Sequence, residues 1–251
     1  ATVNLDAVAS NMRSMRDNLP ASTLIMGSVK ADGYGHGSVP VAKTIEPYVF
    51  GYAVATIDEG IILRRHGINK TILILGVTHE SRYEDLLRYD IRTAMFQYEK
   101  AKKLSDLALK QGKKAVVHLA LDTGMSRIGM KADREHAKEA AAIAALEGIE
   151  VEGLFTHFAR ADEYDRSPAM VQLERYLDFS RRVEEAGVEI PLHHCSNSAG
   201  IIRMPEANLN IVRAGITIYG IYPSSEVERD IVKLEPVMEL KSHVTYVKDV
   251  P

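Results

Sequence analysis

Leu24-Ile25-Met26-Gly27-Ser28-Val29-Lys30-Ala31-Asp32-Gly33-Tyr34-Gly35-His36-Gly37 carries an apolar segment into a lysine and then into a glycine-rich turn. Leu24 to Lys30 reads as a buried strand, and glycines directly after it let backbone approach a ligand. A lysine at that point suggests a reactive amine at the mouth of a cavity, the anchor of a carbonyl cofactor. On this stretch alone, a strand-end lysine whose ammonium reaches water fits equally well. Nucleotide motifs do not fit. Ser38 stands where G-x-G-x-x-G needs its third glycine, and Lys30 precedes the glycines that a P-loop lysine would follow.

On either side, strand-like and helix-like segments alternate. Asp6 is the expected N-cap of a first helix that carries Val8, Met12, Met15 and Leu19 at three-to-four spacing. After Gly37 come a helix over Ser38 to Ile45 and a strand Tyr52 to Thr56. The capping box Thr56-Ile57-Asp58-Glu59 then opens a helix through Arg65, which Gly67 stops. Next are the strand Thr71 to Leu75, a helix over Tyr83 to Arg88, the strand Arg92 to Phe96 and a helix Tyr98 to Lys110 ended by Gly112. Ala115 to Leu121 is a strand, Asp133 caps an alanine-rich helix through Leu146, and Val151 to Phe158 is a strand. Ser167 and Pro168 stand as N-cap and first residue of the following helix, and the strands Leu192 to Ser196 and Leu209 to Arg213 end the series.

Counted from Leu24, about eight strands separated by helices predict an α/β fold, a parallel (β/α)8 TIM barrel. An open doubly wound sheet is the alternative. Polar residues recurring at several strand ends, and not at one switch point, favour the barrel. The barrel is expected over residues 7–232. Val244 to Val250 is strand-like with no helix after it, so 233–251 is expected to begin a separate C-terminal β domain that is mostly missing, with residues 1–6 as candidates to pair with it. Both ends stop inside strand-like pattern, as in a piece of a longer chain.

The 251 residues are 46% hydrophobic and 26% charged, the composition of a soluble globular protein with a substantial core. A formal net charge of -3, with lysines and arginines scattered, provides no basic surface for nucleic acid. No apolar run is long enough to cross a bilayer, and no secretory signal pattern opens the chain. The single cysteine, Cys195, allows no intrachain disulfide and favours a cytoplasmic location. His118, His193, His194 and Cys195 suggest a metal site only weakly, because adjacent strand residues face opposite ways and no C-x-x-C or H-E-x-x-H pattern occurs. No metal is expected.

Four further strand ends carry polar residues. Asp122-Thr123-Gly124-Met125-Ser126-Arg127-Ile128-Gly129 puts Arg127 in a glycine-flanked loop, Thr156-His157 ends a strand, Ser196-Asn197-Ser198-Ala199-Gly200 follows the next, and Arg213-Ala214-Gly215-Ile216 closes the last. Loops after the final two strands of a barrel are a recurrent phosphate site, since small residues expose backbone donors there. By themselves, Ser196-Asn197-Ser198 also read as a helix cap.

In their order and spacing, VKADGYGHG, LDTGMSRIG, GLFTHFARAD, HHCSNSAG and VRAGITIYG resemble the alanine racemase family over nearly the whole chain. That resemblance implies a pyridoxal 5'-phosphate enzyme with an N-terminal (β/α)8 barrel and a C-terminal β domain. It implies interconversion of L- and D-alanine, with D-alanine supplied for peptidoglycan of the cell wall. The resemblance makes Lys30 the lysine that binds the cofactor covalently and then serves as base on one face of the substrate Cα. It places Tyr34 near the cofactor phosphate, and Ser198 with the amides of Gly215 and Ile216 around that phosphate, Asn197 preceding them. Arg213 faces the pyridine nitrogen, His157 belongs to the hydrogen-bond network around cofactor and second base, and Arg127 helps bind the substrate carboxylate. Many relatives orient that arginine with a carbamylated lysine, where this chain has Ala120, so Arg127 needs another anion or carboxylate. The second base is a tyrosine from the C-terminal domain of a second subunit. A homodimer is therefore implied, and residues 1–251 alone are expected to hold cofactor without racemising efficiently. A serine or broad-spectrum amino-acid racemase, and a non-catalytic barrel for pyridoxal-phosphate homeostasis, are the alternative functions.

Overall fold

The computed structural model describes residues 1–251. Eight parallel strands are β1 (Leu24–Ser28), β2 (Gly51–Val54), β3 (Thr71–Ile74), β4 (Arg92–Met95), β5 (Ala115–Asp122), β6 (Ile149–Phe155), β7 (Leu192–His194) and β8 (Ile211–Ala214). Consecutive strands are hydrogen-bonded neighbours from β1 to β7, and β8 pairs with β1. The ring closes between β7 and β8 without a ladder. There the backbone link is Arg213 N–H donating to the Ser196 carbonyl at 3.0 Å, just past the end of β7. The (β/α)8 barrel read from the alternation is the fold observed.

Helices α1 (Leu5–Asp17), α2 (Ser38–Ile45), α3 (Ile57–Arg65), α4 (Tyr83–Tyr89), α5 (Tyr98–Lys110), α6 (Arg134–Ala144), α7 (Ser167–Glu185) and α8 (Ser198–Arg203) surround the strands. After β8 stands a 3-10 turn, Ile216–Tyr219. The helix that precedes the first strand takes the eighth place, since α1 packs on α2 and on that turn.

Strand alternation sorts the side chains. Ile25, Tyr52, Ile72 and Val212 join the large cluster between sheet and helices, whereas Met26, Ala53, Leu73 and Ile211 form a separate apolar cluster on the barrel axis. Ala94, Ala120 and Phe155 form another. Tyr176 of α7 ties the layers together: its hydroxyl donates to the Leu154 carbonyl at 2.8 Å and lies 2.9 Å from His193 Nδ1.

Several local expectations need correction. The cap of α1 is Asn4, whose Oδ1 accepts from the amides of Asp6 and Ala7 at 3.0 and 3.2 Å; Asp6 lies in the first turn, where its charge suits the helix dipole. Ser167 is the first residue of α7 with Arg166 at the cap position, and the Ser167 amide is taken by Asp165 Oδ1 at 2.9 Å. α6 ends at Ala144, short of Leu146. β1 ends at Ser28, so Lys30 lies beyond the strand. Val244 to Val250 forms no strand, because no neighbouring backbone offers it a ladder, whereas Thr2–Val3, the candidates among residues 1–6, do pair antiparallel with Met238–Glu239 within 233–251. Met130–Lys131, which carries no strand-like run, pairs with the end of β5.

Tyr176→Phe keeps the ring and leaves a buried carbonyl and an imidazole nitrogen without the hydroxyl. It is expected to cost about 1–2 kcal/mol, read as a lower urea midpoint at unchanged slope.

Candidate active site

Lys30 opens a full turn of left-handed backbone. Ala31, Asp32, Gly33 and Tyr34 have φ of 51, 51, 62 and 53°. For residues bearing a Cβ this conformation costs roughly 1–2 kcal/mol each, so other contacts must hold it. Glu59 of α3 supplies one: Oε1 accepts from the Ala31 amide at 2.8 Å, while Oε2 accepts from Ala55 at 2.7 Å and completes the expected capping box with Thr56. Asp32 supplies another, its Oδ1 accepting from the Ser38 amide at 2.8 Å and its carbonyl from Gly37 at 2.9 Å. Gly33 suits the crowding, since a Cβ there would lie 3.3 Å from both the Ser38 amide nitrogen and the Tyr219 hydroxyl.

The turn leaves Lys30 in a cavity of about 330 Å³ at the carboxyl ends of the strands. Tyr34, His157, Asn197, Ser198, Arg213, Gly215 and Ile216 line the same cavity, so the barrel gathers residues from four separate loops. The Lys30 amine is half-buried and has no ion-pair partner. Burial first, then the charge of Arg127, holds its pKa below the usual lysine range; Glu59 opposes the shift and Arg213 adds to it.

Arg213 is 3% exposed and meets no carboxylate. Nη1 donates to the His194 carbonyl at 2.9 Å and contacts His194 Nδ1 at 2.7 Å, while Nη2 donates to the carbonyls of Thr156 and Cys195 at 2.7 and 3.1 Å. Burial lowers its pKa to about 10, which leaves the guanidinium charged at neutral pH. His157 Nδ1 lies 3.4 Å from Nη2. Burial, and then the charges of Arg213, Arg127 and Lys30, push the His157 pKa down to about 3, so the ring is neutral.

Ser198 Oγ accepts from the Gly215 amide at 3.0 Å and lies 2.9 Å from Thr217 Oγ1. A Cβ on Gly215 would come within 3.4 Å of Ser198 Oγ and 3.7 Å of the Tyr34 hydroxyl. Glycine therefore keeps open a pocket that hydroxyls border. Ile216 begins the 3-10 turn, where the first amides lack partners within the turn. Asn197 is the N-cap of α8, its Oδ1 accepting from Gly200 at 3.1 Å, as the isolated tripeptide reads.

Arg127 is apart from this group. Its charge acts on Lys30 and His157, but the side chain is exposed and makes no ion pair or hydrogen bond. No carboxylate of this chain takes the place of the carbamylated lysine. Asp122 shapes the loop instead, Oδ1 accepting from Gly124 and Ser126 at 3.0 and 2.9 Å, and Ala120 packs with Ala94 and Phe155. Sequence reasoning missed Met125 and Asp162 on the cavity wall, and it missed Glu59 as the clamp on the lysine turn. For Glu59 the capping box was the available signal, since it fixes the carboxylate near the strand ends. No group of histidines, cysteines and carboxylates suited to a metal is present.

Fold and cavity define a (β/α)8-barrel protein with its site on the carboxyl-end face. Residues 3–223 match the alanine racemase N-terminal domain family. The chain is 43% identical to the alanine racemase of Desulforamulus reducens over 251 residues, covering all of this chain and 68% of that protein. It is also 43% identical to that of Clostridium perfringens strain SM101, covering 99% of this chain and 64% of that one. The solved alanine racemase of Clostridium difficile 630 in complex with cycloserine superposes with a TM-score of 0.96 at 42% identity, over 99% of this chain and 68% of its own. The chain thus spans about two thirds of these relatives. It belongs to the alanine racemase family, whose members are isomerases.

Two outcomes follow from the site's electrostatics. Glu59→Gln removes the charge that raises the Lys30 pKa, so competitive acylation of Lys30 is expected to reach its midpoint at lower pH; an upward shift would contradict the assignment. His118, His157 and His194 have folded pKa values depressed below the ordinary value near 6.5. Their neutral burial contributes stability above that pH, which is lost as pH falls below it and the unfolded rings take up protons; for His157 the loss runs down to about 3. A lower urea midpoint at pH 5 than at pH 7 is expected.

Proposed function

We propose that the protein containing this chain is a pyridoxal 5'-phosphate-dependent alanine racemase. The observation that carries the reading is an unpartnered lysine amine of lowered pKa in one cavity with a buried, fully oriented arginine. The residues present fit the cofactor. Lys30 would hold its carbonyl carbon, Arg213 its ring nitrogen, and Ser198, Tyr34 and the amides of Gly215 and Ile216 its phosphate, in the pocket that Gly215 keeps open. When bound, pyridoxal phosphate supplies a conjugated ring that accepts electron density from a bond to the substrate Cα.

The chain's own residues do the rest. Lys30 Nζ removes a proton from one face of Cα and returns one there; its lowered pKa leaves more free amine for that task. Arg213, whose Nη1 and Nη2 donors are taken by the His194 ring and by backbone carbonyls, would present Nε–H to the ring nitrogen; a guanidinium that keeps its proton would leave that nitrogen unprotonated and the ring a weaker electron sink. That favours reprotonation over side reactions. His157, neutral and beside Arg213, is proposed to extend the hydrogen-bond network, and Arg127 to bind the substrate carboxylate. Asn197 contributes by capping α8 behind Ser198.

Beyond the chain's residues, the proposal includes a homodimer in which a tyrosine of the second subunit serves the other face of Cα. It also includes a C-terminal β domain beginning within 233–251, after a barrel over 7–232, and a cytoplasmic role in D-alanine supply for peptidoglycan. No helix is long and apolar enough to cross a membrane.

Incubation of the full-length protein with pyridoxal phosphate, then borohydride and peptide mass analysis, is expected to place the label on Lys30 alone. Lys30→Ala is expected to abolish both label and racemisation. Label on another lysine, or a panel of amino acids in which alanine is not exchanged, would overturn the reading.

A further inference from the structure

We propose that Glu152, acting through His118 and His194, is a positioning residue for Arg213, the counter-charge at the far end of one directed hydrogen-bond chain through the barrel core. Arg213 Nη1 lies 2.7 Å from His194 Nδ1, His194 Nε2 lies 2.8 Å from His118 Nδ1, and His118 Nε2 lies 2.9 Å from Glu152 Oε2. A guanidinium only donates, so His194 Nδ1 accepts and its proton sits on Nε2. His118 Nδ1 must then accept, which puts its proton on Nε2, facing a carboxylate that only accepts. The two charged ends demand the same direction. Both rings are fully buried and are held neutral, chiefly by burial.

The backbone is shaped for this chain. Pairing between β5 and β6 steps from Val117–Val151 to His118–Gly153, so Glu152 is the extra residue of a β-bulge, a device that re-aims a side chain. Gly153 then makes room, because a Cβ there would lie 2.4 Å from His118 Nδ1. Phe155 stacks on His194 with ring centroids 5.0 Å apart, and the Arg213 guanidinium lies over the same Phe155 ring. At the other end Glu152 also meets Arg92 at 3.4 Å, and Arg92 is itself paired with Asp90 at 2.9 Å. Two arginines and two carboxylates thus balance, with the imidazoles carrying the link between Glu152 and Arg213.

The consequence for catalysis rests on the reading of Arg213 given above; the proton arrangement does not. Neutron diffraction from crystals of the perdeuterated full-length protein is expected to show deuterium on Nε2 and none on Nδ1 of both His118 and His194. Deuterium on Nδ1 of either ring overturns the proposal, whether or not any variant folds. In the holoenzyme, Glu152→Gln is expected to lower kcat for alanine by about tenfold, equivalent to about 1.4 kcal/mol, with KM changed less than about twofold and the absorption band of the bound cofactor shifted. His118→Gln keeps one acceptor and one donor at similar volume and should retain more kcat than His118→Leu, which keeps neither. Equal effects of those two, or an unshifted band and unchanged kcat in Glu152→Gln, overturn the positioning role. Borohydride labelling separates the two readings: loss of label at Lys30 in the unsubstituted protein defeats the cofactor reading and leaves the deuterium result standing.

Discussion

A guanidinium buried on the axis of a barrel must find acceptors for its donors, because an unpaired charge in that setting is too costly to keep. Arg213 finds them in the carbonyls of Thr156, His194 and Cys195 and in the His194 ring. Those carbonyls sit at the ends of β6 and β7, across the seam where β7 and β8 share no ladder. The same side chain therefore fastens the barrel where its sheet is weakest and stands in the cavity wall. Closure and site are one arrangement, which explains why the cavity lies beside the seam.

Beside Arg213, past the end of the neighbouring strand β1, the lysine turn meets a different constraint. Left-handed backbone over Ala31, Asp32 and Tyr34 is strained for residues with a Cβ, and carboxylates of Glu59 and Asp32 offset the strain by accepting orphan amides. Holding Lys30 in this way gives its amine a half-buried place without a carboxylate partner, and so a depressed pKa. Two cations, Lys30 and Arg213, tolerate one another here because carbonyl dipoles and the His194 ring take the terminal donors of the arginine and the lysine can be neutral.

Much of the barrel was legible in order. The eight barrel strands and helices α2 to α7 between them follow from the period of the apolar residues, with ends off by one to a few positions, as at Ser28 and Ala144. The predicted residues gathered in the cavity came from four of the five motifs, and Arg127, from the remaining one, shows the limit of that reading. Its motif is intact, yet its side chain is exposed and unpaired, since what orients an arginine is a neighbour from elsewhere in the chain. Asp6 and Ser167 show the same limit at short range: each is a good cap residue, but Asn4 and Asp165 reach the amides.

The amino-acid sequence by itself determined the alternation of strand and helix, hence the barrel, and the chemistry available at each strand end, because periodicity and residue type are local properties. Tertiary structure alone decided the left-handed turn at Lys30, the bulge that aims Glu152, the pairing of His118 with His194, and the seam closed by Arg213. Each depends on contacts between residues far apart in the chain, such as His118 with His194 and Arg213 with Thr156. Proton positions and charge balance in a buried network follow from those distances, and no local pattern encodes them.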